Sequence, residues 1–148
     1  MYRARCIGLM KKTEMETLLQ PGRKLGKHAI IDLSGCNSEI IRDCKLIHNT
    51  LVEAAKMARL TVIGIMDHRF MPEGYTAVLM LEESHLSIHT WPEHNYASID
   101  LYSCNLQTDF QVVIDFLANE FQATVTEVAF LERGFSEACD INRCKRLI

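Results

Sequence analysis

The chain has 148 residues, enough for one domain that buries roughly two-thirds of its unfolded surface without a disulfide framework. With 48% apolar and 24% charged residues its composition is that of a globular protein and excludes disorder, and a net charge of −3 argues against a nucleic-acid partner. No run of about 18 apolar residues and no secretory leader is visible, and the six cysteines lack paired CxxC spacing, so the expectation is a cytoplasmic chain with no membrane partner.

Residues 1–24 mix basic, acidic and apolar side chains without a period, and Pro21-Gly22 closes them off as an N-terminal extension. HAIIDL (28–33) reads as a strand, and Gly35 with Asn37 then offers a turn and a helix cap. Ile40, Cys44, Ile47, Leu51, Ala54 and Ala55 recur at helical spacing, which predicts one helix with a stripe fit to cover a sheet. TVIGIM (61–66) and YTAVLML (75–81) are β-rich runs separated by the Pro72-Glu73-Gly74 turn. His85–Trp91 and Tyr96–Ser103 flank a loop of hairpin length, PEHN. Asp109 caps a second helix with Phe110, Val113, Phe116, Leu117 and Phe121 on one face, and ATVTEVAFL (123–131) gives a last strand before a tail, 135–148, that carries no readable pattern. This order predicts an α+β two-layer sandwich, a mainly antiparallel sheet with two helices on one face. Its other face is left bare, which suits water or a second sheet in a face-to-face dimer.

Residues 82–104, EESHLSIHTWPEHNYASIDLYSC, gather a serine at the start of a strand, three histidines, the only tryptophan and a cysteine. Antiparallel pairing sets Ser84 opposite Ser103, or opposite Cys104 if the register slips by one. His89 has an odd offset from Ser84, which places the two on opposite faces of a regular strand, so the chain must bend or break near Ser84 for them to cooperate. His85, His89, His94 and Cys104 are all acceptable zinc ligands, but residues four apart on a strand are separated by about 13 Å, too far for one ion. A nucleophilic site with Ser84 or Cys104 activated by a histidine is open on residue type, although no nucleophile-elbow glycines are present. Polar residues scattered over a wet hairpin face are the plainest alternative.

Taken together, ESHLSIHTWPE (83–93) and YASIDLYSC (96–104) resemble the prokaryotic class of S-adenosylmethionine decarboxylase, a pyruvoyl-dependent enzyme. The likeness runs upstream through LGKHAIIDLSGC (25–36), EAAKMA (53–58) and HRFMPEGYTAV (68–78), and downstream to FLERG, covering a domain of residues 25–134. It implies self-cleavage between Glu83 and Ser84, giving fragments 1–83 and 84–148 with Ser84 converted to the pyruvoyl group that forms a Schiff base with substrate. By the same resemblance His89 is the proton acceptor in processing, Cys104 the proton donor in catalysis and Thr76 a processing helper, standing where relatives have serine. Phe70 and Trp91 match aromatic positions near the nucleoside, and Glu93 suits ribose hydroxyls. Asn105 stands where relatives usually have glycine, a position at which asparagine tolerates positive φ, and Glu82 replaces a small residue beside the scissile bond. The resemblance also implies a homodimer with sites between packed sheets, and a product that serves spermidine synthesis as aminopropyl donor. A same-fold arginine or ornithine decarboxylase and an uncleaved non-catalytic partner subunit are the rival readings.

Overall fold

Alternation of apolar and polar side chains, period two, writes most of the sheet. A computed structural model describes residues 24–134 and 145–147. The strands are β1 (Lys24–Ser34), β2 (Val62–Arg69), β3 (Tyr75–Leu81), β4 (Ser84–Trp91), β5 (Tyr96–Ser103), β6 (Val125–Gly134) and β7 (Lys145–Leu147). They form one sheet in the order β2-β3-β4-β5-β1-β6-β7, and every neighbouring pair is antiparallel. Helices α1 (Ser38–Arg42), α2 (Cys44–Met57) and α3 (Phe110–Glu120) supply the second layer. The α+β sandwich expected from the sequence is therefore the fold. β7 falls in the tail that had no readable pattern, and Lys24, assigned to the extension, opens β1; the rest of both terminal segments lies outside the described residues.

One face of the sheet and the helices share the core. Ala29, Ile31 and Leu33 of β1, Leu79 of β3, Leu86 and Ile88 of β4 and Leu101 of β5 are buried against Ile47 and Leu51 of α2 and Val113 and Leu117 of α3. Each fully buried leucine or isoleucine stabilises the fold by about 1.5–3 kcal/mol before entropy is counted. The single helix expected over Ile40–Ala55 is two helices, because Asp43 sits in extended backbone as the C-cap of α1 and the N-cap of α2. Its carboxylate accepts from the backbone N–H of Lys45 (2.9 Å) and Leu46 (3.0 Å), which favours a break over continuation.

The opposite face has no layer over it among the described residues. Met66 (81% exposed), Met80 (60%) and Val78 (41%) stand on it beside polar side chains of β4 and β5. The PEHN loop is a 3-10 turn over Pro92–His94, closed by Asn95 in the left-handed region at φ +50°. It locks β4 to β5 with Trp91 opposite Tyr96 and Ser84 opposite Ser103.

Candidate active site

Ser84 is the first residue of β4, one position earlier than the strand start expected from sequence. Its φ is +154°, a conformation that a residue with a side chain rarely adopts and that costs about 1–3 kcal/mol. The turn before it is pinned from both sides. The Glu82 N–H donates to the Thr61 carbonyl (2.9 Å), and the Glu83 carboxylate accepts from the Thr61 N–H (3.2 Å). The Glu83 carbonyl, which belongs to the Glu83–Ser84 peptide, accepts from the Cys104 backbone N–H at 3.0 Å. Of the two registers weighed from the sequence, the sheet adopts the one with Ser84 opposite Ser103, and Cys104 follows as an exposed free thiol. Asn105 is not among the residues with positive φ; it accepts from the Gln107 N–H (3.0 Å) and donates its own N–H to Ser103 Oγ (3.1 Å), so side-chain turn chemistry replaces the flexibility of a glycine.

Ser84 Oγ lies 3.2 Å from His85 Nδ1. On the bare face His85, Tyr102 and His28 form a cross-strand row, paired His85 to Tyr102 to His28 across β4, β5 and β1. The ring centroids are 5.9 Å apart for His85 and Tyr102 and 6.3 Å for His85 and His28. Asp100 Oδ1 in turn bonds His28 Nε2 at 3.0 Å. Partial burial, aided by His28 and opposed by Asp100, lowers the His85 pKa below the ordinary histidine value. Ser84 and His85, with Met66, Val78, Met80 and Ser87, line a concavity of about 610 Å³. Sequence reading assigned no role to His85, His28 or Asp100. The row depends on the β1–β5 register, which no local motif in the sequence marks.

A second group of candidate residues meets at the other end of β4. His89 lies opposite Thr76 of β3, and their side chains bond through Thr76 Oγ1 and His89 Nδ1 at 2.7 Å. Phe70, Thr76, His89, Trp91 and Glu93 line one cavity of about 380 Å³, with the Trp91 ring 6.1 Å from that of His89. An aromatic floor, a carboxylate and an imidazole in one hollow suit a polar ligand with a flat ring. The structure thus brings Glu83, Ser84 and Cys104 together, and Phe70, Thr76, His89, Trp91 and Glu93 together. It does not join the two groups. The ladder from Ser84 to Trp91 runs without a break, so the bend expected near Ser84 does not carry His89 toward it, and five residues of strand separate them by about 16 Å.

An α+β sandwich with an uncommon positive φ at the serine that opens β4, and no cluster of metal-binding side chains among the described residues, fits neither a zinc hydrolase nor an elbow-serine enzyme. Comparisons narrow the class. The family model described as S-adenosylmethionine decarboxylase matches residues 27–134. An S-adenosylmethionine decarboxylase proenzyme of Thermodesulfovibrio yellowstonii is 37% identical over 110 residues, which is 74% of this chain and 82% of that one. S-adenosylmethionine decarboxylase proenzyme 2 of Halalkalibacterium halodurans is 41% identical over 110 residues, 74% of this chain and 87% of that one. The crystal structure of the adenosylmethionine decarboxylase of Aquifex aeolicus superposes with a TM-score of 0.72 at 34% identity, over 78% of this chain and 96% of that one. The chain belongs to the S-adenosylmethionine decarboxylase family, carboxy-lyases that work through a pyruvoyl group made from one of their own serines by cleavage of a proenzyme.

The residues around Ser84 fit such a group. A serine supplies the needed carbons, its preceding carbonyl is already polarised by an N–H, and its backbone is strained in the uncut chain.

Proposed function

We propose that this chain is a proenzyme that cuts itself between Glu83 and Ser84, and that the resulting 1–83 and 84–148 fragments together decarboxylate S-adenosylmethionine in the cytoplasm, the product serving as aminopropyl donor for spermidine synthesis. The observation that carries the reading is the Glu83–Ser84 peptide itself, a φ of +154° at Ser84 with the Glu83 carbonyl held at 3.0 Å by the Cys104 N–H. Attack by Ser84 Oγ on that carbonyl relieves the strain and places negative charge where the N–H already donates. A pyruvoyl group at residue 84 supplies a ketone for the substrate's α-amine and a sink for the electron pair left when carbon dioxide departs.

The chain's own residues divide the remaining work. Cys104, beside residue 84 across the β4–β5 ladder, delivers the proton to the substrate's α-carbon. The hollow of Phe70, Trp91 and Glu93 receives the nucleoside, with the rings against adenine or the sulfonium and the carboxylate toward ribose. His89, positioned by Thr76, takes a proton during processing. Because about 16 Å of strand separates His89 from Ser84, that transfer needs a second subunit. A homodimer with bare faces together and the β4 strands antiparallel sets His89 of the partner subunit beside Ser84, and it covers Met66, Val78 and Met80. Neither a nucleic acid nor a membrane enters this scheme, and among the described residues no helix is long and apolar enough to cross a membrane.

Denaturing mass spectrometry tests the proposal. The purified protein is expected as two fragments divided at 83/84, the second with a blocked N-terminus, and Ser84→Ala as one whole chain. A whole wild-type chain, or a cut elsewhere, overturns it. Release of carbon dioxide from labelled S-adenosylmethionine, but not from arginine or ornithine, is the matching expectation for substrate.

A further inference from the structure

We propose that His85 is the base that takes the Ser84 hydroxyl proton as the Ser84 oxygen attacks the Glu83 carbonyl carbon, a task separate from that of His89. The inference rests on the self-cleavage reading above and deepens it. Cleavage of a peptide through serine requires two proton removals from different atoms, first from oxygen and then from the α-carbon, and within one subunit the imidazole that reaches the Ser84 oxygen is that of His85. His89 is about 16 Å along the strand from Ser84 and bonded to Thr76. His85 Nδ1 is already 3.2 Å from Ser84 Oγ, within reach for direct transfer.

The surroundings hold His85 in the role. Its ring is flanked by Tyr102 and by His28, and His28 is fixed in turn by Asp100. These are the titratable groups that face it, His28 from β1 and Asp100 and Tyr102 from β5, while β3 presents Met80. Partial burial keeps the ring neutral near neutral pH, so Nδ1 has a lone pair to offer. In the step itself the Oγ–H proton passes to Nδ1 and an Oγ–C bond forms to the Glu83 carbonyl carbon. The carbonyl oxygen takes the electron pair while bonded to the Cys104 N–H. Collapse breaks the bond from that carbon to the Ser84 nitrogen, which receives the proton back from His85. An ester and a free amine result, with no net proton gained or lost.

Hydroxylamine separates this step from the later one because it cuts esters and leaves peptides whole. Full-length wild type, His89→Ala, His85→Ala and His85→Gln are purified and weighed under denaturing conditions with and without hydroxylamine. His89→Ala is expected to divide at 83/84 on hydroxylamine treatment, as an accumulated ester does. Both His85 variants are expected to stay whole in either condition, with ester formation slowed by about a hundredfold or more. In His89→Ala the rate of ester formation should hold through the ordinary histidine range and fall only at lower pH, where His85, its pKa lowered by partial burial, takes up a proton and can accept no other. Wild-type-like cleavage of His85→Ala or His85→Gln, a hydroxylamine-sensitive ester in either, or a flat pH profile overturns the role of His85 and leaves self-cleavage standing. A wild-type chain that never divides overturns both.

Discussion

Replacing Thr76 by valine deletes one hydroxyl and leaves the volume of the side chain almost unchanged, so it tests whether the 2.7 Å bond to His89 Nδ1 matters for processing. The side chain is on the bare face, half-buried, and its neighbours in the core layer, Tyr75 and Ala77, are untouched. A hydrogen bond of this kind contributes about 0.5–1.5 kcal/mol net, so its loss is expected to slow conversion of proenzyme to fragments by about two- to tenfold. Thr76→Ser keeps the hydroxyl and sheds the methyl group, and its rate is expected within about twofold of the parent. The assay follows the fraction of whole chain by denaturing mass spectrometry after synthesis in a short pulse. If Thr76→Val processes at the parental rate while its melting temperature is unchanged, the bond does not orient His89 for proton transfer.

Four further outcomes are expected. Asp43→Ala removes the acceptor for the first N–H groups of α2 and should cost about 0.5–2 kcal/mol in denaturant unfolding. Leu101→Ala opens a cavity beneath the sheet, where the side chain is fully buried, and should cost about 2–5 kcal/mol by the same measurement. Burial pushes the Cys36 thiol up to about 11, so in the native protein at pH 8 it should resist iodoacetamide while exposed Cys104 is alkylated, as peptide mapping would show. Burial also lowers His85 below the unfolded value of 6.5. As pH falls through that window the unfolded chain takes up a proton that the native chain refuses, so stability should be greatest above 6.5 and decline toward the lowered value, measured as a denaturant midpoint against pH.

The strand β3 and the hairpin of β4 and β5 were legible because each alternates strictly between core and surface, and the loop between β4 and β5 has one natural length. The break at Asp43 was not, since the apolar spacing runs straight through it and only the local competition of a carboxylate for N–H groups decides otherwise. The proximity of Ser84 to Cys104 followed from pairing arithmetic within one hairpin. The remoteness of Ser84 from His89 was equally a matter of strand rise, yet residue types and resemblance grouped them, and neither carries distance. The hollow of Phe70, Thr76 and Trp91 unites residues from β2–β3 and β4 that only the resemblance had associated. The row from His85 to His28 required the β1–β5 register, which joins residues far apart in sequence and has no local signature.

Sheet order gives the proposed cut at Glu83–Ser84 a mechanical consequence. The first fragment carries β1, β2 and β3, and the second carries β4 to β7, but in space β1 lies between β5 and β6. The pieces are therefore interlaced, joined by the β3–β4, β5–β1 and β1–β6 ladders, and neither can leave without dismantling the sheet. Before the cut, each subunit unfolds as one polypeptide. Afterwards each subunit releases two separate polypeptides, so the melting temperature of the processed form should rise more steeply with protein concentration than that of Ser84→Ala, and heating in dilute solution should be far harder to reverse. One broken peptide bond would thus convert refolding of a subunit from the collapse of one chain into a search between two.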